Sequence, residues 1–297
     1  MHWVFSPANT IFTLDKFITM ARCFLLLSFS FLFIETIAQP SAEEIKKYHI
    51  SKVIKNRTIG ESAFPETYWY DRRGNDSARM INNEMSIIKN TFKGGKLIST
   101  VYVGSDNKET NKLEYAYDAD GSYKVTTTDG EFGMKSYEWY NPKKKIIKSR
   151  SPDGNTTTFK YNARGNLISV SSDGYNYGIK IKRNYFYNPK NQLTKAEEEM
   201  DGVKSITVYT YNIKGQLIKK DEEEDGMKTS TSYIYDGKGK VIKQILTGDS
   251  PLGPSTTTSI YEYNEKGLLV KLTSKRIVEE QEEPEPDEIT VYDYEYF

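Results

Sequence analysis

One phrase recurs along this chain and limits what it can fold into. Tyr161-Asn162-x-x-Gly165-x-Leu167-Ile168 returns as Tyr211-Asn212-x-x-Gly215-x-Leu217-Ile218, as Tyr235-Asp236-x-x-Gly239-x-Val241-Ile242 and as Tyr263-Asn264-x-x-Gly267-x-Leu269-Val270. Degraded copies open at Tyr70, Phe92, Tyr117, Tyr140 and Tyr187, and from Tyr117 to Tyr263 the motif tyrosines lie 21 to 28 residues apart. A period of that length marks an array of small supersecondary units.

The residues of one copy specify a hairpin. An aromatic-x-aromatic pair such as Tyr209-Thr210-Tyr211 or Tyr233-Ile234-Tyr235 puts both rings on one face of a strand. The Asn or Asp that follows opens a turn, because its side chain can bond backbone two residues on. Gly three residues later suits a positive φ that a Cβ resists. The chain then returns through Leu-Ile or Val-Ile into polar residues. Asp-Gly pairs at Asp129, Asp153, Asp173, Asp201 and Asp225 are placed to make the second turn of each unit. Thr runs at 126–128, 156–158 and 256–258 suit a pleated surface. No long amphipathic helix is visible; residues 42–47 have room for a turn or two before the first strand.

The expected fold is all-β: an extended, curled antiparallel sheet of tandem hairpins. About twenty short strands exceed the size at which open sheets stay flat, and the obligatory twist should curl them. The rings with Leu and Ile are expected on one face, and Thr, Lys, Glu and Ser on the wet one. Loss of an end unit should weaken such an array without abolishing it. Exposed edges invite self-association through the sheet edges.

The tyrosine–Asn/Asp–x–x–Gly–x–Leu/Ile pattern resembles the YD repeat of RHS-type proteins over nearly the whole chain after the leader. The resemblance implies strand pairs laid side by side in a curling sheet, which the largest members close into a hollow shell around a toxin. This chain departs from those members. It is expected to have too few units for a full shell, and to lack a self-cleaving core segment and a C-terminal toxin domain. The hairpin fold carries over and the shell function does not.

The first forty residues differ in kind. Arg22 precedes an uncharged apolar block from Phe24 to Ile34, closed by Thr36-Ile37-Ala38. A positive flank, a short apolar core and a small-residue exit describe a secretory signal peptide. The core falls short of the roughly 20 apolar residues that span a bilayer, so no stable transmembrane segment is expected after cleavage. The expected organisation is a signal peptide over residues 1–38 (with Met20 as the alternative start), a lead-in strand region over 39–66 and a YD-like repeat domain over 67–297. The protein is expected to be exported, in the periplasm, at the cell surface or outside the cell.

Cleavage after Ala38 removes Cys23, the only cysteine, and leaves His49 as the only histidine. Thiol chemistry and a His-rich zinc site are thereby excluded from the expected mature chain. A balance of 41 basic and 41 acidic residues argues against nucleic acid. Asp118-Ala119-Asp120-Gly121-Ser122 hints at a calcium loop, lacks the EF-hand glycine and closing Glu, and reads equally as a turn. The acidic runs 197–199, 222–224 and 279–288 read as solvated tips. No catalytic, cofactor or metal site is assigned.

The expectation is a non-enzymatic binding or scaffold protein of the envelope, with a glycan or an envelope protein as partner. Trp69, Trp139, Tyr175 and Tyr177 lie partly outside the motif register and are the candidate carbohydrate-binding rings. The alternatives are an accessory or remnant of an RHS-type toxin system, and an outer-membrane β-barrel. The barrel reading conflicts with Asp293 and Glu295 on the side of the final strand that carries Phe297.

Overall fold

The computed structural model describes residues 40–81, 84–175, 179–249, 253–279 and 285–297. The expected signal peptide and Tyr177 lie outside them. The described residues open with a short helix, α1 (Ala42–Tyr48), where the sequence leaves room for one. Glu43 and Glu44 sit in its first turn and Lys46 and Lys47 in its last, matching the helix dipole.

Among the described residues twenty strands follow. They are β1 (Ile50–Ile59), β2 (Ser62–Tyr70), β3 (Asp76–Ile81), β4 (Glu84–Lys93), β5 (Lys96–Val103), β6 (Glu109–Tyr117) and β7 (Tyr123–Asp129). Next come β8 (Lys135–Tyr140), β9 (Ile146–Arg150), β10 (Thr156–Tyr161), β11 (Leu167–Tyr175), β12 (Ile179–Tyr187), β13 (Leu193–Met200) and β14 (Val203–Tyr211). The last are β15 (Leu217–Glu224), β16 (Met227–Tyr235), β17 (Val241–Gly248), β18 (Ser255–Tyr263), β19 (Leu269–Val278) and β20 (Glu288–Tyr296).

Every strand pairs antiparallel with its neighbours in sequence, and β20 also pairs with β1. The sheet therefore closes into a barrel. The expected curled hairpin array is present, and its ends meet. The unit number suffices for this ring, because a cylinder of strands closes with far fewer than twenty. Self-association through sheet edges loses its physical basis, since each described strand has a partner on both sides. The lead-in region supplies β1, a full stave of this wall.

The motif turns explain the curvature. At each complete copy the Asn or Asp N–H donates to the carbonyl four residues on, and the N–H of the third residue donates back to the Asn or Asp carbonyl. In the Asn212 turn, Oδ1 accepts the N–H groups of Lys214 and Gln216 while Gly215 sits at φ 81°. This is a type I turn completed by a left-handed residue, the arrangement that forms a bulge. A register shift accordingly falls one residue before the turn in eight hairpins. All eight lie at the same end of the wall. Bulges sharpen twist and bend a strand, so repetition at one rim curls the sheet in a constant sense.

Two degraded turns carry the left-handed conformation without glycine, Lys144 at φ 59° and Asn191 at φ 69°. A lysine there is disfavoured by about 1 kcal/mol. Lys144→Gly is expected to stabilise the protein by about that amount, read as a rise in the denaturant midpoint at unchanged slope.

The second turns are less uniform than their Asp-Gly pairs suggest. Asp201-Gly202 and Asp225-Gly226 form tight turns with both residues at positive φ. Asp129-Gly130 begins a longer loop in which Asp129 caps the N–H groups of Glu131 and Phe132. Asp173-Gly174 lies inside β11 at a register shift and turns nothing. There Thr156 N–H donates to the Asp173 carboxylate from across the ladder, which uses Asp173 as a bulge residue.

Candidate functional site: the inner wall of the barrel

Register assigns each side chain to one of two faces. Val53, Lys55 and Arg57 of β1 stand opposite Tyr68, Glu66 and Phe64 on one side and Tyr294, Tyr292 and Thr290 on the other. Followed around the ring, the same face holds Thr100, Val125, Val170, Ile181, Thr207, Thr231, Tyr233, Gln244, Ser259 and Tyr261, all buried. The opposite face holds Ile87, Phe186, Ile206, Val208, Ile234 and Ile260, all exposed. Side chains converge on the concave side of a closed sheet and diverge on the convex side. The buried face is therefore the inner one.

Helix α1 agrees with this. Glu44 reaches Lys240 (3.6 Å), Tyr48 donates to the Lys266 carbonyl (2.9 Å), and Lys46 lies against Gly74, where a Cβ would meet it at 2.8 Å. These three turns belong to β16–β17, β18–β19 and β2–β3. A helix about 10 Å long touches turns that far apart around the rim only from inside the curve. α1 thus sits across part of the mouth at the motif-turn end.

The expected division into an apolar and a wet face is not what forms. Thr, Ser and Gln share the inner face with tyrosine, while Val208 points outward beside Lys195 and Asp221, and Ile234 and Ile260 beside Lys243. A ring of twenty strands encloses more room than its side chains fill, so neither face has to be uniformly apolar.

The inner wall is organised by phenol hydroxyls. The second tyrosine of the motif donates to the carbonyl of the first residue on the preceding hairpin's returning strand: Tyr187 to Leu167 (2.8 Å), Tyr211 to Leu193 (2.8 Å), Tyr235 to Leu217 (2.6 Å), Tyr263 to Val241 (2.8 Å) and Tyr294 to Leu269 (2.7 Å). Tyr117 and Tyr161 do the same to Leu97 and Ile146. The sequence reading missed this ladder, although its sign was present: the position is tyrosine and not phenylalanine in every complete copy. The motif residues Tyr161, Asn162 and Gly165, Tyr211, Asn212 and Gly215, Tyr235, Asp236 and Gly239, and Tyr263, Asn264 and Gly267 are thus spent on turn and ladder. Tyr235→Phe, which leaves a carbonyl unmatched between hairpins, is expected to cost about 1 kcal/mol in a denaturant titration.

Four carboxylates on this wall are each held by Lys or Arg. Arg57 forks onto Glu288 (2.6 and 3.1 Å) and Arg183 onto Glu198 (2.8 and 2.9 Å). Lys55, with its side chain 9% exposed, meets Glu66 at 3.1 Å, and Lys220 meets Glu222 at 2.7 Å. The acidic runs 197–199 and 222–224 therefore lie within β13 and β15 and are not tips. Strand alternation sends Glu198 and Glu222 inward, and Glu197 outward to Lys195 (2.8 Å). Burial pushes the phenols of Tyr209 and Tyr233 up to about 12, with Glu222 adding to the effect on Tyr209.

The candidate binding rings do not converge. Trp69 (β2) and Trp139 (β8) both face outward and are six staves apart, with Lys52 over one ring (5.9 Å) and Lys148 over the other (5.3 Å). Tyr137 lies 6.0 Å from Trp139 under Lys124. Tyr175 ends β11 at the rim away from the motif turns. Asp118 and Asp120 both accept from the Ser122 hydroxyl, and Asp120 also caps the Ser122 N–H, so both belong to a turn. Among the described residues no group of three or more His, Cys, Asp or Glu is placed to hold a metal ion.

With this geometry in view, residues 140–175 match the RHS Repeat family model. The chain carries an RHS repeat. The matched segment runs from Tyr140 through β9 and β10 to the end of β11, one hairpin with its ladder tyrosine Tyr161. The matched hairpin has the turn and the phenol donor of the other complete copies. Among solved structures, a porin-like protein from Bacteroides uniformis is similar at 15% identity and a TM-score of 0.41, over 83% of this chain and 98% of that one. A porin-like protein from Bacteroides vulgatus is similar at 11% identity and 0.30, over 84% and 98%. The TcdB2-TccC3-Cdc42 structure is similar at 11% identity and 0.32, over 74% of this chain, which spans 15% of that chain's length. No curated protein matches the sequence.

Proposed function

We propose that this is an exported β-repeat barrel that binds or scaffolds at the cell envelope without turnover, and that its ligand is a glycan. The observation that carries the reading is the state of the inner wall: Glu66, Glu198, Glu222 and Glu288 are each occupied by Lys or Arg. These four carboxylates, already neutralised, offer little to select a cationic ligand. Phenol rings and Thr and Ser hydroxyls remain, which suit a neutral, hydroxyl-rich chain. Export is supported by the leader-like segment ahead of Gln39.

Chain 39–297 is expected to bind members of a glycan panel saturably, leaving them intact by mass spectrometry. Hydrolysis of any of them would overturn the non-enzymatic reading, and saturable binding of an envelope protein alone would replace the glycan.

A second reading, an accessory of an RHS-type toxin system, is supported by the repeat at residues 140–175. Toxin or secretion genes beside this one would favour it, and polysaccharide-uptake genes would favour the first. The outer-membrane barrel has the outer face against it. Lys195, Glu197, Lys219, Asp221 and Lys243 point outward in mid-wall, where each lysine would cost about 2–4 kcal/mol in lipid and each carboxylate somewhat less. No described helix is long and apolar enough to cross a membrane.

A further inference from the structure

The tyrosine ladder is interrupted between β7 and β8. Where the complete copies begin their returning strand with Leu or Val, β7 begins with Tyr123. Its ring stacks on Tyr140 of β8, with centroids 4.6 Å apart and planes 3° from parallel. Tyr117 flanks it at 5.2 Å. Tyr140 does not donate to a neighbouring carbonyl as the ladder tyrosines do. Its hydroxyl donates to Glu138 Oε2 at 2.6 Å. Two phenols on adjacent strands are thus in ring contact, and one of them has a carboxylate placed to receive its proton.

That combination has a specific chemistry. A phenol that loses an electron becomes a strong acid, so oxidation is easiest where a base takes the proton in the same step. Glu138 is that base for Tyr140. A second phenoxyl formed on Tyr123 would then already lie against the first.

We propose that Tyr140 and Tyr123 form an oxidative cross-linking site, yielding a dityrosine that staples β7 to β8. Each phenol loses one electron and one proton; the Tyr140 proton passes to Glu138 and the Tyr123 proton to solvent. The two radicals join through ring carbons ortho to their oxygens, and the hydrogens on those carbons move to the oxygens, restoring both phenols. The two electrons reduce the O–O bond of one oxidant of the peroxide class. In an exported chain whose only cysteine lies in the leader, such a bond is a covalent staple that needs no thiol. The inference is independent of what the barrel binds.

The test oxidises chain 39–297 with a light-activated ruthenium sensitiser and persulfate at low conversion, followed by peptide mapping. The expected principal product is an intramolecular Tyr123–Tyr140 bridge. Tyr123→Phe should abolish it and Tyr161→Phe should leave it unchanged. Glu138→Gln should lower its yield several-fold while the strand signal in circular dichroism stays intact. Bridges spread over many tyrosines without preference for this pair would overturn the proposal. So would a Glu138→Gln protein, with its strand signal intact, that cross-links at the wild-type yield.

Discussion

Removing residues 288–297 is expected to cost this protein its fold and not one hairpin. In an open array the last strand has one neighbour, and its loss leaves the rest paired. Here β20 matches nine residues of β1 and four of β19 and carries Tyr292 and Thr290, each 2% exposed, on the inner face. Its deletion opens two long edges at once and bares Val53 and Lys55. Hydrogen bonds worth about 1 kcal/mol each and the buried ring together amount to on the order of 5–10 kcal/mol, comparable with the whole stability of a domain. The truncated chain should lose its cooperative thermal transition and aggregate in size-exclusion chromatography. A synthetic peptide of residues 288–297 should restore part of both properties. A truncated chain that stays soluble with a single, slightly lowered transition would show that the strand is peripheral.

The second large effect is alkaline. Tyr70, Tyr209, Tyr233 and Tyr263 are pushed up to about 12, chiefly by burial, from an ordinary value of 10.0. Burial also raises Tyr261 and Tyr294. A phenol held protonated in the fold adds stability that is complete below pH 10, where the unfolded chain is protonated too. That stability is lost as pH rises from about 10 toward 12, because only the unfolded chain then releases protons. Many phenols around one ring act in the same direction. Tyrosinate absorbance and loss of the strand signal are therefore expected to coincide in one steep transition in that window. Smooth titration of most tyrosines near pH 10 with the strand signal unchanged would contradict the inward placement of the rings.

The local parts of this fold were legible because single residues dictate them. Asn212 and Gly215 specify a turn wherever they occur, and the alternation of Tyr209 and Tyr211 specifies a face. Closure was not legible, because it depends on strand number and on how bend accumulates over eight bulges, a property that no one hairpin contains. Asp173-Gly174 misled for a related reason: the pair favours positive φ and serves a bulge as well as a turn. The runs 197–199 and 222–224 look like solvent tips when counted as charge, and divide between two walls once strand parity is applied. Of the candidate site, the motif residues were found and their shared use of the phenol hydroxyl was not. The outward tryptophans fell outside the register because they belong to the other face.

Ring closure can be tested by placing spin labels at Thr58 and Ile289, which face each other across β1 and β20. Residues 39–297 contain no cysteine, so Thr58→Cys and Ile289→Cys label cleanly in that chain. In the barrel their backbones are about 5 Å apart, and strong dipolar broadening of the spectrum is expected. In an unclosed sheet of strands spaced about 4.8 Å the two ends would be tens of ångströms apart, and an unbroadened spectrum would contradict the closed ring.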